Sequence, residues 1–389
     1  MEVFKAFMLR VAYVSTYPPT HCGVAEYTRM LATAVRSIAP STKVYVLCNV
    51  GGCVEGFDEE VGAPVYPAFR RRSTSYSEIL NVLAGVGGVD VLHVQHEYGI
   101  YGYGGGLLKA VTEARDEGLA RKVVFTMHTI HHPLSRRSEA LGFQRGLNVA
   151  DAVVVHSYLQ EFEIQHQGVN PLKIYRIPHG TLINPYSGTP RFKLLRELGL
   201  EGVKVKGFIM AIPGFIRRDK GLDILAEALR GLGEVPLTVI TAGEVRDAEV
   251  LEVLEGIKGL ANLVLLDRYL SNEEILKLIA LSDAVVLPYR EELGTYSVSG
   301  ILHLSMGSFK PIVGTRVPRL IELYQFVPRL TSPPRTPSEL AKKIRWLVGN
   351  YEYAIAYIAY LYGYAVRTSW IRMARRHISL YNELLRRGA

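Results

Sequence analysis

The chain has 389 residues, 48% of them hydrophobic and 21% charged, with no low-complexity tract. That composition excludes a disordered or fibrous chain, and the length exceeds what one core of roughly 150 residues holds, so two domains are expected. The net charge of +8 suits an anionic partner such as a nucleotide sugar or a phospholipid surface. Without zinc-finger spacing, an aromatic RNA-binding signature or a long basic block, that charge does not point to nucleic acid.

The opening MEVFKAFMLR lacks the apolar region and cleavage site of a signal peptide. No apolar stretch approaches the roughly 20 residues that cross a bilayer, so a cytoplasmic location is expected. Strands are predicted over 9–15, 43–47, 89–94, 122–126, 152–156 and 174–177, with helices over 25–38, 76–86, 107–115 and 158–166 between them. Cys22, Cys48 and Cys53 have neither zinc-ligand nor redox spacing and read as inert thiols outside any disulfide framework. An unpatterned stretch over 178–202 reads as the interdomain linker. The alternation then restarts, with strands over 207–212, 237–242, 264–266, 284–287 and 311–313 and helices over 221–232, 272–280, 299–306 and 337–348. The tyrosine-rich run 351–366, interrupted by Gly363, is expected to form a packed helix pair, with a peripheral membrane contact left open. Two doubly wound α/β units follow, an amino-terminal one over 1–183 and a carboxyl-terminal one over 184–368, with 369–389 an amphipathic basic helix.

In such sheets ligands meet the loops that follow the carboxyl ends of the strands. After the first strand, Gly23 sits at the turn into a helix and gives backbone room beside a ligand. After the third comes a loop from His96, Glu97 and Tyr98 through Tyr101 and Tyr103 to Gly106, with five glycines in a dozen residues, which suits a ligand-contacting segment. The fourth ends in His128; with His131 and His132 it forms a histidine group without a carboxylate at helical spacing, so a hydrogen bond to a polar ligand is expected rather than a metal. The second unit opens with Gly214, Phe215, Arg217, Arg218, Asp219, Lys220 and Gly221, cations between glycines at a helix start, which suits a diphosphate. Tyr289 to Gly300 precedes a further helix start, where Ser299 and Gly300 offer backbone N–H groups or a cap.

Taken in order, the glycine loop at Gly23, Thr126-Met127-His128-Thr129, Ile177-Pro178-His179-Gly180, Gly214 through Lys220-Gly221, Ser282-Asp283-Ala284 and Gly307 through Val313 resemble the family-four retaining glycosyltransferases of the GT-B fold. The resemblance runs over essentially the whole chain. It implies two facing Rossmann-like domains with a nucleotide sugar in the cleft between them, the first serving the acceptor and the second the donor. Lys220 with Arg217 or Arg218 would bind the donor diphosphate, His128 would touch the donor sugar, and Gly23 would leave room for the β-phosphate. Ser299 and Gly300 would offer backbone to that phosphate, and Asp267, Arg268, Tyr269 and Leu270 would line the base pocket. His96, Glu97, Tyr98 and Tyr101 are expected at the acceptor.

Two departures stand out. The family's pair of glutamates eight positions apart is not intact: registering on Pro311 puts Tyr296 and Leu304 there, so Glu291 and Glu292 are left as candidates near the sugar. The arginine that follows the family's glycine is Phe215 here, with Arg217 as its substitute. The reaction so implied moves a hexose from a nucleoside-diphosphate sugar to an acceptor hydroxyl on a saccharide, lipid or metabolite, with retention and without a metal or other cofactor. Alternatives on the same fold are a sugar-nucleotide 2-epimerase, whose carboxylate pairs are missing from these loops, and a non-catalytic nucleotide-sugar sensor. The sequence does not fix an oligomeric state.

Overall fold

In the computed structural model, which describes residues 8–233 and 235–387, the β-branched runs of the first half become strands β1 (Arg10–Val14), β2 (Lys43–Asn49), β3 (Gly56–Asp58), β4 (Ala63–Phe69), β5 (Val89–His96), β6 (Ala120–Met127), β7 (Thr129–His131), β8 (Ala152–Val155) and β9 (Ile174–Arg176). The start of the chain read for signal-peptide features extends outside the described residues, as does the end of the 369–389 helix. Eight of these strands form one sheet in the order β3-β4-β2-β1-β5-β6-β8-β9, parallel except where β3 meets β4. Every residue of β5 is buried, the polar Asp90, His93, Gln95 and His96 included, as expected of a parallel strand covered by helices on both faces.

The second half gives β10 (Phe208–Pro213), β11 (Leu237–Ala242), β12 (Asn262–Leu266), β13 (Ala284–Leu287), β14 (Thr295–Ser297), β15 (Ile312–Thr315) and β16 (Thr331–Ser332). A six-stranded parallel sheet runs β12-β11-β10-β13-β15-β16. The chain divides into two units, one of residues 1–180, 293–298 and 370–389, the other of 181–292 and 299–369. The helix Trp370–Arg386 belongs to the first unit and buries Trp370, Met373, Ala374, His377, Leu380, Tyr381 and Leu384, a stripe at helical spacing. Among the described residues no helix is long and apolar enough to cross a membrane.

Several elements differ from expectation. β4 contains Pro64 and Pro67, and proline lacks the ladder N–H, so its run does not read as a strand; β3 is its antiparallel neighbour. β14 belongs to the first unit, where it pairs antiparallel with β7 in a separate two-stranded ribbon. The 178–202 stretch contains the helix Arg191–Glu197. The tyrosine-rich run is one helix, Tyr351–Arg367, and not a pair. Its stripe of Ala354, Ile358, Leu361 and Ala365 is buried, and Gly363 lies off that stripe, where a helical glycine costs only about 1 kcal/mol. Tyr353 and Tyr360 face outward.

The thiol expectation is also corrected: Cys48, at the end of β2, and Cys53 form a disulfide across a Cα separation of 6.4 Å, and Cys22 is free. Tyr17, Val46 and Val65 pack around the pair. Titration of denatured, unreduced protein should find one thiol; three would refute the bridge.

His96, which ends β5, is fully buried between Tyr101 and Phe143, its ring 4.3 Å from Phe143 and 20° from parallel. Neither ring nitrogen has a hydrogen-bond partner, and burial, with His131 nearby, pushes its pKa down to about 3. The unfolded chain binds the proton near pH 6.5 and the folded chain does not, so stability falls as the pH drops from 6.5 toward 3. A His96→Phe variant should lose roughly 1.4 kcal/mol per pH unit of that dependence between pH 6 and 4. Unfolding free energies measured across that range would contradict this packing if the native and variant slopes were equal.

Candidate active site

In the second unit, β10 runs into Gly214, whose φ of 97° and proximity to Ile301, 2.9 Å from where a Cβ would sit, exclude other residues without strain. A short turn, Arg218–Lys220, leads to Gly221 at φ 67°, where a Cβ would lie 1.9 Å from the carbonyl oxygen of Pro288 at the end of β13. The two glycines fix the path of the loop, and the loop sets its cations.

Asp219 is the centre of that loop. Its carboxylate accepts from Arg217 at 2.9 Å and from Arg319, in the turn after β15, at 2.6 Å. Burial raises its pKa, but Lys220, Arg217 and Arg319 outweigh that and hold it below the ordinary carboxylate range. Arg319 also reaches Glu292 at 3.7 Å. Lys220 donates from Nζ to the Tyr289 hydroxyl at 2.9 Å, and that hydroxyl lies 3.3 Å from Ser299 Oγ. Ser299 Oγ in turn accepts from the Leu302 N–H and caps the helix Gly300–Met306. Tyr289 is buried, so Lys220 is held by a fixed partner.

Of the residues expected at the donor, the fold gathers Arg217, Lys220 and Ser299 from the diphosphate set and Glu292 from the sugar set, and Gly300 follows the cap. Arg218 turns aside: it is exposed, pairs with Glu249 at 3.7 Å, and its N–H donates to Asp247. Glu291 is exposed and belongs to none of these contacts. Arg319, Asp219 and Tyr289 complete the group; Asp219 and Tyr289 sit inside the segments singled out in the sequence, whereas nothing in the Pro318–Leu320 turn marks Arg319. At the carboxyl ends of β10 and β12, Phe215 and Tyr269 have ring centroids 6.1 Å apart, and Arg246 covers Phe215 at 4.7 Å. Asp267 accepts from the Val245 N–H and Arg268 pairs with Glu274 at 2.7 Å, so both side chains shape this loop.

In the first unit, His128 follows β6 and packs edge-on against Tyr27 at 4.7 Å. Tyr27 also meets His156, His179 and Trp370 at 5.3, 5.0 and 4.9 Å. Gly180 belongs to the same packing: a Cβ there would stand 2.1 Å from the Trp370 ring. A polar chain lies beneath, in which Tyr381 reaches His93 at 2.7 Å, His93 reaches Thr126 at 2.8 Å, and Gln95 Oε1 reaches His128 Nε2 at 3.1 Å. Burial, with His156 and His96 nearby, keeps the His128 pKa well below its ordinary value, so His128 is neutral at pH 7. Gly23 opens the helix Gly23–Ile38 with nothing within 4 Å of a Cβ.

The expected acceptor residues are mostly interior. His96, Tyr98 and Tyr101 are buried, with Tyr98 bonded to Gln144 at 2.8 Å and Tyr101 to the Val14 carbonyl at 2.9 Å. Glu97 accepts from Thr129 at 2.7 Å. The loop's outward groups are Tyr103, Gly104 and Gly105, which the sequence does not separate from its inward ones. Among the described residues no group of three His, Cys, Asp or Glu side chains is arranged to hold a metal ion.

Residues 22–181 match the model of Glycosyltransferase Family 4, and residues 204–350 that of Glycosyl transferases group 1. No curated protein matches the chain. Among solved structures, Anabaena HepE in complex with UDP and glucose is 17% identical, with 96% of this chain and 100% of that one covered and a TM-score of 0.74. Sucrose-phosphate synthase from Thermosynechococcus elongatus is 15% identical, with 97% and 99% covered and a TM-score of 0.74. An E. coli trehalose-6-phosphate structure bound with UDP-2-fluoro glucose is 14% identical, with 96% and 98% covered and a TM-score of 0.67. At these identities the likeness is one of fold. With both of its halves matched and both sheets in place, the chain belongs to the glycosyltransferases of family 4 and group 1, enzymes of the GT-B fold.

Proposed function

We propose that this glycosyltransferase moves a hexose from a nucleoside-diphosphate sugar to an acceptor hydroxyl, with retention at the anomeric carbon and without a metal ion. The observation that carries the reading is the cluster of Arg217, Lys220 and Arg319 around Asp219 at the carboxyl end of β10. Two arginines and a lysine fixed by a carboxylate and a buried tyrosine form a preorganised anion grip. HepE, solved with UDP and with UDP-glucose, supports a uridine donor as the first to test.

In the reaction the acceptor oxygen bonds to C1 of the sugar while the bond from C1 to the β-phosphate oxygen breaks. The electron pair leaves on the diphosphate, and the acceptor's proton passes to a departing phosphate oxygen. Lys220, Arg217 and Arg319 stabilise the charge that grows there, which takes the place a divalent ion holds in metal-dependent transfer. Neutral His128 offers the donor sugar a hydrogen bond; among the described residues its Nε2 is bonded to Gln95, which leaves Nδ1 for that contact. Gly23, with open space at its Cα, gives room to the β-phosphate. Phe215, Tyr269 and Arg246 offer flat faces to the base. Retention comes to the reading from the family resemblance.

A thermal-shift panel of UDP, GDP, ADP and their glucose, mannose and N-acetylglucosamine conjugates tests it. One nucleotide should raise the melting temperature of the native chain, Lys220→Ala should abolish the shift, and transfer should survive excess EDTA. No shift with any nucleotide would reject the grip; a shift with no transfer to any acceptor would indicate a sensor.

A further inference from the structure

Five arginines lie in loops at the carboxyl edge of the first unit's sheet with no acidic partner. Arg70, Arg71 and Arg72 directly follow β4, and Arg136 and Arg137 follow the turn Pro133–Ser135 beyond β7. All five are exposed, and among the described residues none forms an ion pair. By contrast Arg29, Arg121, Arg176, Arg191, Arg217 and Arg319 each meet a carboxylate.

The glycine loop ties the two arginine groups together. Arg71 donates from its guanidinium to the Gly99 carbonyl at 3.0 Å, and the Arg72 N–H donates to the Ile100 carbonyl at 2.8 Å. From the other side Arg137 donates to the Tyr103 hydroxyl, and the Tyr103 ring stacks on buried Tyr98 at 4.9 Å. Gly106 closes the arrangement, because a Cβ there would lie 2.2 Å from the Thr74 carbonyl oxygen. Arg72 and Arg136 both hold left-handed backbone, at φ 53° and 58°, a conformation uncommon outside glycine.

Like charges gathered without counter-charges repel one another, and a multivalent anion relieves that repulsion. Guanidinium forks match phosphate oxygens in pairs. The donor diphosphate already has its cations in the second unit, so this second set is left for another anion. We propose that these arginines form the acceptor subsite and that the acceptor carries a phosphate or diphosphate group, held by Arg70, Arg71, Arg72 and Arg137 beside the exposed Gly104-Gly105 backbone. The assignment to the acceptor rests on the glycosyltransferase reading above. A soluble sugar phosphate and a lipid-linked phosphate offer the same chemistry.

The test titrates inorganic pyrophosphate into the native chain saturated with UDP, and separately measures flotation with phosphatidylcholine vesicles containing or lacking phosphatidylglycerol. The Arg70→Gln/Arg71→Gln/Arg72→Gln and Arg137→Gln variants are run beside it, with melting curves to verify folding. Arg70→Gln alone serves if the triple variant is unfolded, because among the described residues the exposed Arg70 side chain has no hydrogen bond or ion pair to lose. Binding to at least one probe is expected, weakened about tenfold or more in the triple variant and in Arg137→Gln, the effect of losing one or two charge-assisted hydrogen bonds. Pyrophosphate binding places the phosphate in a soluble acceptor, and binding confined to anionic vesicles places it in a lipid. Binding of neither probe, or binding that the variants leave unchanged, overturns the subsite. The initial UDP titration reads the donor site by itself: its failure would reject the donor assignment, while the effect of the arginine variants on the phosphate probes would still decide the anion site.

Discussion

Cations crowded into one turn repel one another, and the carboxylate of Asp219 is what allows Arg217, Arg319 and Lys220 to share it. Two of the three bond to that carboxylate directly, and the third is held next to it by the Tyr289 hydroxyl. The cluster thus has more positive than negative charge, yet each group is fixed. On the proposed reading a diphosphate arriving there meets donors that need little reorganisation, which is the condition under which electrostatic stabilisation of a leaving group is strongest. Gly214 and Gly221 make this geometry available, since a side chain at either position meets Ile301 or the Pro288 carbonyl.

The first unit solves a different problem. In the proposed reaction His128 has to be neutral and correctly turned to serve a sugar hydroxyl. Burial keeps it neutral, and Gln95, in the polar layer with His93 and Tyr381, sets its ring. Tyr381 and Trp370 come from the last helix, so the carboxyl end of the chain supplies part of the packing around residues that follow β1, β6 and β8. The short ribbon of β7 and β14 adds residues 293–298 to this unit, and Gly294 is required there because a Cβ would lie 2.5 Å from the Ser135 nitrogen.

What the sequence makes legible follows from where its information is local. β8, β10 and β13 are unbroken apolar runs because parallel strands are buried on both faces, and they are readable for that reason. β4 hides behind Pro64 and Pro67, and β14 pairs with a partner more than a hundred residues away, which no periodicity announces. In the candidate site, Arg217 and Lys220 are visible because cations flanked by glycines at a strand end are unusual. Arg319 is invisible: only the fold brings the β15 loop beside Asp219. Alternation in the 96–106 loop does not reveal that His96, Tyr98 and Tyr101 turn inward, nor that Arg70 to Arg72 pack against it. Cys48 and Cys53 illustrate the same limit, since five residues of separation say nothing about whether a bulged strand end brings two sulfurs together.

Calorimetric titration of UDP into Asp219→Asn tests the central claim most directly. Removing a carboxylate adds net positive charge, so simple attraction calls for tighter binding of an anion. If Asp219 instead organises the cations, UDP binding should weaken by about tenfold or more, as expected when two positioned charge-assisted contacts are lost. Binding as tight as in the native chain, or tighter, would contradict the account.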